Sequence, residues 1–209
     1  MNDIDILNSL LEKKDLTIKN SQRFLDQIIE GNISPARIGA FLMGLRMKGE
    51  SVDEIIGFIN SMKRHMVSVV APYAIDVCGT GGDGHGTFNI STAVAFVVAG
   101  SGVKIVKHGN RAASSQCGSA DVLEKLGVTI QLSKSQAEEV AATIGMVFLF
   151  APLFHPALKN IGSIRKELGI RTIFNFLGPF ISPASVKRQL IGVPNVDIAE
   201  KLSHVGMKL

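Results

Sequence analysis

The sequence predicts an α/β protein built as a small N-terminal helical domain, residues 1–70, followed by a mostly parallel-sheet α/β domain over 71–209. Three observations carry this. Up to about Ser68, apolar residues recur at helical spacing. From Ala74 onward the pattern changes to short runs rich in Val and Ile, each followed by a glycine-bearing turn and a helical segment. The polar glycines concentrate where strands hand over to helices, the place where open α/β sheets bind ligands.

The leading helices begin with IDILNSLLEK and continue through SQRFLDQIIEG, where Gly31 stops the run. A third helix is signalled by Ser34 as N-cap, Pro35 at the first helical position and Gly49 at the end. A fourth opens on the capping box Ser51 to Glu54 and runs to about Met66, with Pro72 marking a linker. Strands are expected at AIDVCG, VKIVKHG, VTIQL, MVFLFA, RTIFNF and RQLIGV. Helices are expected between them, at about Ile90 to Ala99, Ser119 to Leu126, Ser133 to Ile144, Pro156 to Leu168 and Asp197 to Val205. Ser133 and Gln136 form a second capping box. The sequence stops at HVGMKL, where this alternation calls for another strand, so the α/β domain is expected to be truncated at its C-terminal end.

A hydrophobic content of 46% is ample for a buried core. The 22 basic and 18 acidic residues are spread along the chain, which implies no nucleic-acid partner. Cys78 and Cys117 form neither a disulfide framework nor a CxxC pair. The N-terminus lacks the basic start of a signal peptide, and the longest apolar stretch, Ala93 to Gly100, is too short to span a bilayer. A cytoplasmic protein with no membrane partner is expected.

The strongest local feature is Asp76-Val-Cys-Gly-Thr-Gly-Gly-Asp-Gly-His-Gly-Thr-Phe-Asn-Ile-Ser-Thr92. Five glycines between Gly79 and Gly86, flanked by hydroxyls at Thr80, Thr87, Ser91 and Thr92, let backbone N–H groups face an anion at a helix N-terminus. Gly79, Gly81 and Gly84 also fit the dinucleotide fingerprint, but the next strand ends in Lys107-His108 where that fold wants an acid. No GK[ST] ending supports a P-loop. Asp83 would repel a diphosphate unless a cation lay between them, and Mg²⁺ is held in this way. A second polar loop, Lys107 to Ser119, follows the next strand. Its Lys107 and Arg111 can neutralise phosphate, and Asn110 with the serines offers fixed hydrogen bonds. His108 reads as a structural or loop histidine before a catalytic one, and Ser119 as a helix cap compatible with donating to phosphate. Further on, Arg165 and Arg171 can each grip a carboxylate, though Arg171, at the head of an apolar run, reads better as an anchor. His155, between Phe154 and Pro156, suits a packed turn as well as a ligand contact.

At GTGGDGHGTFNIST, KHGNRAASSQCGSADVLEKLG and FLFAPLFHPALKNIGSIRKELGIRTIFNFLGP the sequence resembles the anthranilate phosphoribosyltransferases, in register over essentially its whole length. Pyrimidine nucleoside phosphorylases share the GTGG loop but not the TFNIST or KHGNRAASS continuations, and they are the nearest rival. The resemblance implies transfer of phosphoribosyl from phosphoribosyl diphosphate to the amine of anthranilate, in tryptophan biosynthesis. It implies a homodimer formed through the N-terminal helices, with Mg²⁺ as cofactor. Carried over by position, Gly79, Gly82, Asp83, Thr87, Asn89, Ile90, Ser91, Thr92, Lys107, His108, Gly109, Asn110, Arg111, Ala112, Ala113, Ser114, Ser115 and Ser119 would line the phosphoribosyl diphosphate site. Ser91 would touch Mg²⁺, and Gly79, Asn110 and Arg165 would meet anthranilate. No side-chain nucleophile or general base is implied. Ser163 stands where the family commonly has proline, and ISPA where an Asn-Pro is usual. The family's chain continues past position 209 through an Asp-Glu pair that binds a second Mg²⁺, so a fragment that binds ligand without turnover is an alternative.

Overall fold

A computed structural model of the chain describes residues 2–81, 88–112 and 117–209. In chain order its elements are α1 (Asp3–Leu11), α2 (Ile18–Ile29), α3 (Pro35–Lys48), α4 (Val52–His65), β1 (Asp76–Gly79), α5 (Ile90–Gly100), β2 (Ile105–Gly109), α6 (Ser119–Lys125) and α7 (Lys134–Thr143). They continue with β3 (Met146–Phe150), α8 (Ala151–Phe154), α9 (Lys159–Leu168), α10 (Phe174–Leu177), β4 (Gln189–Gly192) and α11 (Val196–Lys208). Two compact units result. The first comprises residues 1–65, 157–180 and 197–209, and the second residues 66–156 and 181–196. The expected boundary near residue 70 lies close to where the chain first passes from one unit to the other. Two later helical segments belong with the leading helices as well.

In the helical unit, local signals set the helix starts. Asn2 and Asp5 cap α1 reciprocally, each side chain accepting the other's backbone N–H at 2.9 Å. Ser51 and Glu54 do the same for α4, but Glu54 has a second task. Its fully buried carboxylate also accepts the Leu16 N–H at 3.0 Å and the Lys48 ammonium at 2.9 Å. One side chain thereby ties the start of α4 to the α1–α2 connection and to the end of α3. The core beneath is aromatic. Phe24 stacks on Phe41 at 4.0 Å between centroids, Phe41 on Phe58 at 6.0 Å, and Phe174 meets Phe58 edge-on at 5.6 Å.

In the second unit all strand pairs are parallel. β1 pairs with β4 in the register Val77↔Leu190, and β2 pairs with β3 in the register Lys107↔Phe148. A bridge at Ile75↔Ile105 joins the two pairs, which gives the order β4–β1–β2–β3. Strand alternation sorts the side chains onto two faces. Val106, Val147 and Leu149 pack with Ala137 and Ala141 of α7. Val77 and Ile105 pack with Ala95 of α5, while Phe148 and Phe150 pack with Ala120 and Leu123 of α6. Helices on both faces of a parallel sheet match the expected class.

Two expected strands do not form. VTIQL connects α6 to α7, and its alternation is satisfied without a ladder, by Ile130 buried against Leu123, Phe148 and Phe150 and by Leu132 half-buried against the cluster of Val106, Val147 and Leu149. RTIFNF turns instead. Thr172 N–H donates to Asn175 Oδ1 at 2.9 Å and Asn175 N–H returns to the Thr172 carbonyl, starting the short α10. Ile173, Phe174, Phe176 and Leu177 are all buried on either side of Asn175, a pattern that fits strand and buried helix equally.

Helices α2 and α4 approach closely at Gly57. A Cβ there would sit 2.5 Å from the Ile18 carbonyl oxygen and 2.7 Å from Ser21 Cβ. Helix propensity favours alanine over glycine by about 1 kcal/mol, but overpacking against backbone costs about 1–3 kcal/mol. Gly57→Ala is expected to destabilise the helical unit, and a urea midpoint at or above that of the unaltered chain would refute this.

Candidate active site at the ends of β1 and β2

β1 is the strand at which the sheet order reverses: the chain leaves it for β2 on one side and returns to β4 on the other. In open α/β sheets the crevice outside such a strand's carboxyl end receives ligands. Here Thr80 N–H donates to the Gly192 carbonyl at 3.0 Å, and Gly81 turns the chain away at φ +67°. Gly79 lies so close to β4 that a Cβ would approach the Gly192 carbonyl to 3.2 Å. The chain re-enters at Asn89, the N-cap of α5, which puts Ile90, Ser91 and Thr92 in the first helical turn. The Thr80 and Thr92 hydroxyls are buried and without a hydrogen-bond partner among the described residues.

Lys107 is the centre of the arrangement. It shares the α5 face of β2 with Ile105, so its side chain runs under α5 and is 2% exposed. Its ammonium donates to the Val77 carbonyl at 2.8 Å and to Ser91 Oγ at 3.0 Å. Burial lowers its pKa, and the Asp76 carboxylate opposes that. Asp76 is itself fully buried, and burial raises its pKa to about 6 against the pull of Lys107. Burial also pushes the neighbouring Cys78 thiol up, which leaves it a packing residue rather than a nucleophile.

The second loop is folded against the start of α6. The Asn110 carbonyl accepts from Ala120 N–H at 3.2 Å and from Ser119 Oγ at 3.3 Å, and Asn110 Oδ1 accepts from Arg111 N–H at 2.8 Å. Two glycines permit the approach. A Cβ on Gly109 would lie 2.3 Å from Ser119 Oγ, and one on Gly118 would lie 2.3 Å from the Ala112 nitrogen. The cap of α6 is Gly118, so Ser119 is the first helical residue and not the cap. Asp121 does the capping that Ser119 was expected to do: its carboxylate accepts the Gly118 and Ala112 N–H groups at 2.8 and 2.9 Å, which lowers its pKa. Arg111 is engaged locally. Its guanidinium pairs with Glu124 and Asp121 and lies 5.4 Å from the centroid of the Phe150 ring.

His108 falls on the opposite face from Lys107. Its ring centroid is 5.0 Å from that of His155, and both side chains are buried. Burial drives the His155 pKa down to about 4, so the ring is neutral. Gly82, Asp83, Thr87, Ala113, Ser114 and Ser115 lie outside the described residues. Arg165 belongs to α9 in the helical unit, half-buried, with its guanidinium 5.0 Å from the Phe174 ring centroid. Sequence reasoning passed over Asp76 and Asp121. The first is signalled by an acid inside an apolar strand, the second by an acid three residues after a glycine at a helix start.

Comparison with known proteins identifies the family. The glycosyl transferase family α/β domain matches residues 71–209 and the family's helical bundle domain matches residues 4–66. The chain belongs to the glycosyl transferase family. Among family members, the anthranilate phosphoribosyltransferase of Dehalococcoides mccartyi strain CBDB1 is 51% identical over 98% of this chain and 61% of its own length. That of Clostridium kluyveri is 52% identical over 98% of this chain and 62% of its own. The chain thus spans about three-fifths of the curated relatives it matches. A solved structure of the Thermus thermophilus enzyme superposes with a TM-score of 0.87 at 37% identity, covering 97% of this chain and 63% of that one. The Saccharomyces cerevisiae enzyme in complex with PRPP and Mg gives 0.89 at 29% identity, covering 98% and 61%.

The buried Asp76 and His155 push stability in opposite directions with pH. Asp76, raised from 3.8 to about 6, contributes stability that is present below pH 3.8 and lost as pH rises through about 6. His155, lowered from 6.5 to about 4, contributes stability present above pH 6.5 and lost as pH falls through about 4. Each effect is worth about 2–3 kcal/mol at most. Urea unfolding is expected to show Asp76→Asn more stable than the unaltered chain at pH 7, with the gap closing towards pH 4. His155→Gln should remove part of the acid destabilisation. Gaps that do not change with pH would contradict both assignments.

Proposed function

We propose that this chain carries the phosphoribosyl diphosphate site and the anthranilate-recognising arginine of an anthranilate phosphoribosyltransferase acting in tryptophan biosynthesis. One observation carries the reading most directly: a buried ammonium, Lys107, is fixed where two glycine-bearing loops leave adjacent parallel strands. Such a group, together with loop N–H groups, suits a diphosphate. The relatives named anthranilate phosphoribosyltransferase support the choice of substrate. So do the Saccharomyces cerevisiae structures, one with PRPP and Mg and another with 4-fluoroanthranilate.

In this reading the aromatic amine displaces diphosphate from ribose C1 while negative charge builds on the leaving group. Lys107 and the N–H groups at the start of α5 stabilise that charge, and the loops hold the two substrates in line. Ser91 fits a role as Mg²⁺ ligand, because its hydroxyl oxygen keeps a lone pair after accepting from Lys107. Mg²⁺ held there would neutralise diphosphate charge. Arg165 grips the anthranilate carboxylate. The exposed Leu11, Met43 and Met47 on α1 and α3 suit a homodimer formed through the leading helices. The free cysteines and the absence, among the described residues, of a helix long and apolar enough to cross a membrane suit the cytoplasm.

Calorimetric titration of phosphoribosyl diphosphate in the presence of Mg²⁺ tests the reading. The unaltered chain is expected to bind, and Lys107→Met to bind about 10–100-fold more weakly, the worth of one charge-assisted hydrogen bond. Equal affinities would refute the role of Lys107, and no binding to either would refute the site. Arg165→Ala is expected to weaken anthranilate binding by a similar factor and phosphoribosyl diphosphate binding only slightly. Equal losses for both ligands would exclude a carboxylate-specific role.

A further inference from the structure

The ladder between β1 and β2 ends early, and two side chains take over from it. At the Ile75↔Ile105 bridge, Ile75 N–H donates to the Lys104 carbonyl at 2.9 Å and Val106 N–H donates to the Ile75 carbonyl at 3.0 Å. In a parallel ladder the same pattern repeats two residues on, where His108 N–H would donate to the Val77 carbonyl. No ladder between β1 and β2 continues to that level. The Val77 carbonyl accepts from Lys107 Nζ at 2.8 Å, and His108 N–H donates to Asp76 Oδ1 in a longer bond of 3.4 Å. The two side chains enter from opposite faces. Lys107 comes from the α5 face, while Asp76, next to the α5-facing Val77, comes from the other. The second Asp76 oxygen accepts from Gln189 Nε2 of β4 at 3.4 Å.

We propose that Asp76 is a positioning residue: with Lys107 it replaces the last backbone rung between β1 and β2. It thereby sets the separation of the two loops that leave these strands. The inference rests on the phosphoribosyl diphosphate reading of those loops. Asp76 touches no ligand; it acts through the His108 backbone, the second residue of the KHGN segment, and through Gln189 beside Gly192. A carboxylate kept fully buried inside a strand, with acceptor bonds to two neighbouring strands, is costly for stability alone. A single backbone rung would satisfy the same groups at lower cost. Its geometric task is to accept the His108 N–H, so an amide oxygen in the same place performs it. The Gln189 amide can rotate to present its oxygen to an asparagine Nδ2.

Three variants of the chain test this, each read by amide hydrogen exchange at His108 and by calorimetric titration of phosphoribosyl diphosphate with Mg²⁺. Asp76→Ala is expected to speed exchange at His108 while Val147 and Leu149 stay protected, and to weaken binding about tenfold or more. Asp76→Asn is expected to keep both properties within about threefold of the unaltered chain, a rescue that loss of acceptor geometry predicts and loss of charge does not. If Asp76→Ala fails to fold, Asp76→Thr replaces it, since its hydroxyl is one bond too short to reach the His108 nitrogen. Unchanged exchange or unchanged affinity in the variant lacking the acceptor overturns the proposal. So does an Asp76→Asn variant as impaired as Asp76→Ala. Absence of binding by the unaltered chain overturns the reading of the site, while exchange at His108 still decides whether Asp76 holds the strand ends.

Discussion

A buried ammonium needs anchors on every side that water has left, and in this protein meeting that need organises the site. Lys107 lies in the sheet beneath α5, and its charge is met by the Val77 carbonyl, by Ser91 and, through space, by Asp76. Those partners belong to β1, to the first turn of α5 and to the strand interior. Fixing one side chain therefore fixes the strand from which the first glycine loop departs and the helix at which it arrives. The second loop begins at Lys107 itself. Both loops take their position from the same atom.

The helical unit applies the same principle at Glu54. A carboxylate in an apolar bundle is tolerated because two backbone N–H groups and the Lys48 ammonium satisfy it. Around it, the run of phenylalanines supplies non-directional burial, and Gly57 lets two helices approach until backbone meets side chain. Polar groups fix the register of the helices, and apolar area holds them together. The same division recurs in the sheet. There the aliphatic faces of β2 and β3 bind the layers, while Asp76, Lys107 and Asp121 determine where the strands end and how the loops turn.

Asp76 and His155 show that this unit is not built for greatest stability. One retains a carboxylate whose burial pushes its pKa up to about 6, the other an imidazole pushed down to about 4. Asp76 disfavours the fold near neutral pH and His155 under acid, and buried ionisable groups of this kind, beside the glycine-bearing loops, are the expected mark of a site in which position outranks stability. The His108–His155 pair has the same character, two polar rings packed 5.0 Å apart where aliphatic side chains would pack more cheaply.

What the sequence by itself determined was local. Capping boxes at Ser51 and Ser133, the Pro35 start, and the Gly31 and Gly49 stops depend on neighbours within a few residues, and the helices begin and end there. Both glycine loops were legible because strand, glycine cluster and helix follow one another along the chain. Tertiary structure decided the rest. Whether VTIQL and RTIFNF become strands depends on whether a neighbouring strand offers a free edge, and periodicity carries no such information. Arg111 carries a cation's sequence signature, yet Glu124 and Asp121 occupy it, because helix spacing in α6 turns both acids back towards the loop. Asp76 reads in the sequence as an isolated acid before a loop. Its task exists only because the parallel register brings the His108 N–H, thirty-two residues further along the chain and two beyond the residue opposite Asp76, within reach of its carboxylate.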